Sequence, residues 1–167
     1  MFNFLKKKKQ IVETKQDNQL YALGNGNIIG IEDVKDQVFS QKLMGDGFAL
    51  VPTSHTVFSP VSGTVTSVFP TKHAIGFLMD NGLEVLLHMG IDTVELQGKP
   101  FSIKVSEGDT VFGGQEIGTM DLEMLKEAGK DNPLMVVFTN TADKLESLNL
   151  TKGKTTETTI IGHVVSK

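Results

Sequence analysis

From Leu20 onward the apolar positions fall into short runs: "GNIIGI", "FALVP", "SGTVTSVF", "AIGFLM", "LEVLLHM", "FSIKV", "DTVFGGQEIGTM", "LMVVFTN" and "TTIIGHVV". Gly, Asn, Asp and Pro separate them. Runs of this length, rich in β-branched residues and bounded by turn formers, predict an all-β protein, an antiparallel sandwich or barrel of short strands. One segment has clear helical spacing, "DLEMLKEAG", in which Leu122, Leu125 and Ala128 share a face, Asp121 caps the start and Gly129 the end. "TADKLESL" adds a second short helical turn. "IEDVKDQVFSQKLMGDG" fits either a bent connection or a short helix, with Val34, Val38 and Phe39 as its buried candidates. The segment Ala22 to Ile28 echoes Ser59 to Val65, and "VSEGDTVFGGQEIG" forms a third turn unit around Gly108 and Gly114, as expected of a sandwich built from related halves.

Two of the four histidines, His73 and His88, flank the Asn81-Gly82 pair, each beside an apolar run. Asn-Gly suits the two positive φ angles of a type I′ hairpin, so a two-residue loop is expected here. In that register cross-strand partners sum to 163 and His88 faces Ile75. His73, two residues from Ile75, then emerges on the same face as His88, about 7–8 Å away as a diagonal neighbour. The argument rests on parity, because a three-residue loop without a compensating bulge puts the two rings on opposite faces. Paired imidazoles leave three chemistries open. His73 and His88 can begin a zinc site, which needs further ligands, with Asp92 a candidate. They can serve general acid-base hydrolysis. Or one neutral ring can attack phosphorus while the other donates hydrogen bonds to the transferring oxygens. His55 and His163 have no such partner and read as ordinary structural residues.

Composition narrows the classes. The 167 residues suffice for one core without metal or disulfide support. With 39% hydrophobic and 22% charged residues the chain is an ordinary globular protein, and it has no apolar run long enough to span a bilayer. A formal net charge of -4, one Tyr and no Trp argue against nucleic-acid binding. The absence of Cys removes disulfides, thiol nucleophiles and thiolate metal sites. Residues 1–18 read as a flexible Lys-rich tail and 19–167 as a single domain. The start, "MFNFLKKKKQ", lacks the apolar region of an export signal, and Met1 to Lys9 suit a frayed tail or a weak contact with an anionic membrane surface.

From about Ala22 to the C-terminus the chain resembles the glucose-type IIA components of the bacterial phosphoenolpyruvate-dependent sugar phosphotransferase system. The resemblance lies in "IEDVKDQVFSQKLMGDG", "SPVSGTVTSVFPTKHAI", "LEVLLHMGIDTVELQGKPF", "VSEGDTVFGGQEI" and "VVFTN", with "HMGIDTVELQG" the most specific string. It implies an antiparallel β-sandwich of duplicated hybrid-motif type, with one or two short helices. This IIA domain takes a phosphoryl group from the phosphocarrier protein HPr and passes it to a cysteine on the IIB domain of a sugar permease. By resemblance His88 is the phosphoryl acceptor through Nε2, with its other nitrogen donating to a backbone carbonyl. His73 stabilises the phosphoryl group, and Thr71 hydrogen-bonds within the pair. Val38, Phe39 and Phe69 supply an apolar docking rim, and Asp36 and Asp92 meet an arginine on HPr. No cofactor or metal is required. The resemblance further implies a cytoplasmic protein, a monomer exposing one site to two partners, with regulatory targets as well. A chain of this length has no room for IIB or membrane domains and is expected to find them in trans. "ALGNG" and "VKD" stand where the family usually carries a proline, and Met135 takes the place of the proline before the "VV" strand. A zinc-dependent hydrolase on a related sandwich is the rival reading and needs a third protein ligand. A swinging-arm carrier, suggested by "GDTVFGGQEI", lacks the lysine it needs at a hairpin tip.

Overall fold

The computed structural model describes residues 16–167, and the membrane contact expected of Met1 to Lys9 lies outside them. The chain opens with β1 (Gln19–Tyr21) and β2 (Gly26–Gly30), a 3-10 turn (Ile31–Asp33) and the one-turn helix α1 (Gln37–Ser40). There follow β3 (Asp46–Pro52), β4 (Thr56–Phe58), β5 (Gly63–Val68), β6 (Ala74–Leu78) and β7 (Glu84–Met89). A second 3-10 turn (Thr93–Leu96) leads to β8 (Phe101–Ile103), β9 (Thr110–Val111), β10 (Glu116–Met120) and helix α2 (Leu122–Glu127). The chain ends with β11 (Leu134–Phe138), helix α3 (Thr141–Lys144), β12 (Leu145–Leu150), β13 (Gly153–Thr155) and β14 (Ile160–Ser166). All strand pairings are antiparallel. An eight-stranded sheet runs β13-β2-β3-β11-β7-β6-β5-β9, and two three-stranded sheets, β4-β10-β8 and β1-β14-β12, complete the predicted β-sandwich.

The centre of the large sheet is buried on both faces, which explains why "LMVVF" reads as an unbroken apolar run. Phe48, Leu50, Leu134, Val136, Phe138, Val85, Leu87, Ile75 and Phe77 point into the main core. On the other face Ala49, Met135 and Val137 lie under Ile31, Val34 and Phe39, with Ile29, Met44, Leu86 and Ile91 at the border. The ambiguous 31–44 segment is therefore both things at once, a bent connection containing a single helical turn, and it is a lid over the outer face. Asp36 caps α1 by accepting from the backbone N–H of Val38 at 2.8 Å and of Phe39 at 3.4 Å. Val34 and Phe39 are buried as expected, but Val38 is 46% exposed, because one turn cannot aim consecutive residues at the same surface.

Two residues of the 1–18 segment, Asp17 and Asn18, make contacts with the domain. Asp17 accepts from the Tyr21 and Ser62 hydroxyls, and Asn18 accepts from Asn81 Nδ2 and binds Val164 N–H through its carbonyl. Those two residues are tied to the body of the domain.

The β6–β7 hairpin corrects the expected register. Ala74 faces His88, Ile75 faces Leu87 and Leu78 faces Glu84, so partners sum to 162 and the loop has three residues, Asp80 to Gly82. The two closing bonds are Met79 N–H to Leu83 O at 2.9 Å and Gly82 N–H to Met79 O at 3.0 Å. Only Gly82 has a positive φ, +92°, where a type I′ turn needs two. Asn81 is held instead by its side chain, which accepts from Leu83 N–H and donates to Asn18. Gly82→Ala is expected to cost about 1–2 kcal/mol, since an L residue is strained at this angle. Urea denaturation checks this; an unchanged midpoint and slope would remove the left-handed position as a requirement of the hairpin.

Candidate functional site

His88 sits on β7 and faces outward, on the same side as Leu86, between its cross-strand neighbours Ala74 and Met135. It is half-buried. The Phe39 ring rests against it with centroids 5.1 Å apart and a 56° tilt. Its Nδ1 lies 2.9 Å from the carbonyl oxygen of Gly90. A carbonyl only accepts, so Nδ1 carries the proton and Nε2 keeps its lone pair.

His73 reaches the same place by a route the strand argument did not contain. In the 162 register, strict alternation puts His73 and His88 on opposite faces. His73, however, lies just outside β6, at the end of a turn closed by Lys72 N–H to Phe69 O at 2.7 Å, with Lys72 left-handed at φ +59°. Alternation does not bind a residue outside the strand, and the two imidazoles meet with centroids 5.0 Å apart and planes at 76°. His73 is 6% exposed, packs edge-on against Phe69 at 5.5 Å, and has Nδ1 2.6 Å from Thr71 Oγ1.

Burial is the first cause that lowers the pKa of both rings below 6.5. For His73 the neighbouring His88 adds to it. For His88 the Gly90 hydrogen bond and the charges of Asp36 and Asp92 pull the other way without overcoming it. The result is a neutral pair at neutral pH, with a free ring nitrogen on His88 available as a nucleophile.

Of the other expected residues, Asp36 and Asp92 lie close enough for their charges to be felt at His88, Asp36 from the cap of α1 and Asp92 from a left-handed position at φ +60°. Val38 and Phe69 are exposed apolar residues at 46% and 38%, whereas Phe39 is 6% exposed and forms the wall behind the ring. His55 and His163 stand apart from the pair; His163 Nε2 lies 3.2 Å from Asn149 Nδ2. Among the described residues no group of three or more His, Cys, Asp or Glu is arranged to hold a metal, so the third ligand that a zinc hydrolase needs is not there. Sequence reading passed over Thr93, fully buried beside the site, and Val94, 47% exposed after Asp92. The available signal was the glycine in "HMGIDTV", two residues after the histidine.

Comparison with known proteins shows the family and the fold. The family described as phosphoenolpyruvate-dependent sugar phosphotransferase system, EIIA 1, matches residues 18–144. The glucose-specific EIICBA component of Streptococcus pneumoniae serotype 4 is 49% identical over 134 residues, 80% of this chain but only 18% of that protein's length. The glucose-specific EIIA component of Staphylococcus aureus strain Mu50 is 45% identical over 138 residues, covering 83% of this chain and 82% of the relative. The corresponding component of Halalkalibacterium halodurans is 41% identical over 164 residues, covering 96% and 94%. The solved structure of glucose permease IIA from Mycoplasma capricolum superposes with a TM-score of 0.78 at 33% identity, covering 89% of this chain and 96% of that one.

The lowered histidine pKa values set the sign of a pH effect. A group held neutral by the fold binds fewer protons folded than unfolded, so stability is kept above about pH 6.5 and is lost as pH falls below it. Urea midpoints measured from pH 7.5 to 5 are expected to fall for the wild type and to fall less for His73→Gln. Equal slopes would show that the buried pair is not the source.

Proposed function

The chain belongs to the phosphoenolpyruvate-dependent sugar phosphotransferase system EIIA 1 family, a phosphoryl-transfer component that moves the group between proteins, and we propose that His88 is the residue that carries it. The observation behind this reading is the bond between His88 Nδ1 and the Gly90 carbonyl, which leaves Nε2 unprotonated beside a second imidazole. In the first step the Nε2 lone pair of His88 attacks phosphorus on the phosphohistidine of HPr. A new N–P bond forms, the N–P bond to HPr breaks, and its electron pair returns to the HPr ring. In the second step a thiolate of the IIB domain attacks phosphorus in line, and the electron pair of the N–P bond returns to His88.

The other residues serve charge and position. When Thr71 donates to Nδ1 of His73, the Nε2–H of His73 is left to donate to the phosphoryl oxygens, where charge is greatest during transfer. Val38 and Phe69 form the apolar rim that a partner covers, Phe39 supports the acceptor ring, and Asp36 and Asp92 receive a cationic side chain of HPr. The relatives' names support a glucose-type permease as the source of the IIB domain. The family supports a cytoplasmic site of action reached by both partners. One exposed face serving two partners in turn is consistent with a monomer, and its phosphorylation state is what a regulatory target would read.

Two measurements test the assignment. Intact-protein mass after incubation with phosphoenolpyruvate, enzyme I and HPr is expected to show one acid-labile phosphoryl group on wild type and His73→Ala and none on His88→Ala. Onward transfer from His73→Ala is expected to be slower by about 10²-fold, the usual loss when one donor to a transition-state oxyanion is removed. A wild type left unloaded by competent HPr, or a loaded His88→Ala, would sink it. Separately, Asp36→Asn and Asp92→Asn are expected to slow association with phosphorylated HPr and flatten its salt dependence. Stopped-flow rates at two ionic strengths check this, and unchanged salt slopes would remove these acids from the docking surface.

A further inference from the structure

Each peptide unit around Gly90 has both of its polar groups engaged. In the Met89–Gly90 unit the carbonyl accepts from Thr93 Oγ1 at 2.5 Å and the N–H donates to Pro133 O at 2.8 Å. In the Gly90–Ile91 unit the N–H donates to Asp131 O at 3.1 Å and the carbonyl accepts from His88 Nδ1 at 2.9 Å. A trans peptide holds its N–H and C=O in opposite directions, so a single bond leaves the plane free to pivot and bonds on both sides hold it. Between the two units the chain turns at Gly90, φ +80°, and a Cβ placed there would lie 2.5 Å from Thr93 Cγ2 and 3.1 Å from Asp131 O. Thr93 is fully buried, and among the described residues it is the one side chain besides His88 that bonds to either unit.

We infer that Thr93 is a positioning residue for the phosphoryl acceptor: its hydroxyl holds the turn at Gly90 so that the Gly90 carbonyl accepts from Nδ1–H of His88 and leaves Nε2 free. This rests on His88 being the acceptor, as proposed above. Without the Thr93 bond, the Met89 carbonyl is a buried acceptor lacking that partner, and the Met89–Gly90 unit is held only through its N–H to Pro133 O. A unit that pivots on that one bond lets the Gly90 oxygen tilt off the line of Nδ1. The ring loses its preference between tautomers, and only the Nδ1–H form has a nucleophilic Nε2. The two functional groups of Thr93 can be separated, since Val keeps the branched shape without the hydroxyl and Ser keeps the hydroxyl without the methyl.

The test reads the tautomer directly, by ring nitrogen chemical shifts of His88 in labelled full-length protein, and loading by phosphorylated HPr in parallel. Wild type is expected to carry the proton on Nδ1. Thr93→Val is expected to populate the Nε2–H form and to load about tenfold more slowly, the rate equivalent of one net hydrogen bond. Thr93→Ser is expected to restore the wild-type tautomer. A folded Thr93→Val with the wild-type tautomer would overturn the inference. So would a wild type protonated on Nε2, which keeps the inference refutable even if the valine variant does not fold. Failure of wild type to accept phosphate from HPr, with its Nδ1–H tautomer intact, would instead strike the acceptor assignment.

Discussion

The structure depends on the packing of residues 31–44 across the outer face of the large sheet. A sheet this wide exposes two apolar surfaces, and one core covers only one of them. Ile31, Val34 and Phe39 cover the second by lying on Ala49, Met135 and Val137. At about 1.5–3 kcal/mol per buried side chain, such contacts hold a segment that has almost no regular structure of its own. The cover stops at His88. The residue at the boundary is therefore backed by Phe39 on one side and open on the other, and the packing that anchors the segment also creates the environment of the imidazole.

That environment sets two electrostatic effects against each other. Burial favours the neutral ring, while Asp36 and Asp92 favour the cation, and burial wins. The outcome suits a nucleophile, because a protonated ring has no lone pair to offer. The acids are restrained by their own local roles. Asp36 has its carboxylate oriented by two backbone donors at the start of α1, and Asp92 sits in a left-handed turn that directs the chain into the second 3-10 turn. Each is placed by local backbone chemistry at a distance that leaves the histidine neutral while giving the face a negative rim.

The strand runs, the capped helix at Asp121 and the pairing of His73 with His88 were legible in the sequence. The reason for that pairing was not. Asn-Gly fits both a two-residue type I′ loop and a three-residue loop with one left-handed glycine. The choice here goes with the Asn81 side chain accepting from Leu83 N–H and donating to Asn18, the latter 63 residues away. No local pattern carries that information. The convergence of the rings survives because His73 stands outside the strand, where a left-handed Lys72 delivers it from a turn. Val38 shows a similar limit: its apolar character marks it for burial, yet helix geometry points Phe39 inward and leaves Val38 on the surface. The backbone carbonyl expected for the second nitrogen of His88 had no assigned residue, and Thr93 escaped notice, because a backbone acceptor has no letter in the sequence and a buried threonine has no period.

A phosphoryl carrier that serves two proteins cannot place its nucleophile in a deep cleft, since both donor and acceptor must approach phosphorus in line. Low polarity must therefore come from beneath the reacting atom. On the proposed role Phe39 and Phe69 provide it, each with its ring against one of the imidazoles. An exposed nucleophile also has no surrounding walls to fix its orientation, so that task falls to its own hydrogen bonds. The neutral state comes from the packing below, and the tautomer comes from the turn at Gly90. When a partner covers the remaining face, water is excluded and both effects strengthen, since desolvation favours the neutral ring and a lower dielectric strengthens the bond from Nδ1 to the carbonyl. On the proposed role the site is thus half of an active site, and the partner's surface completes it.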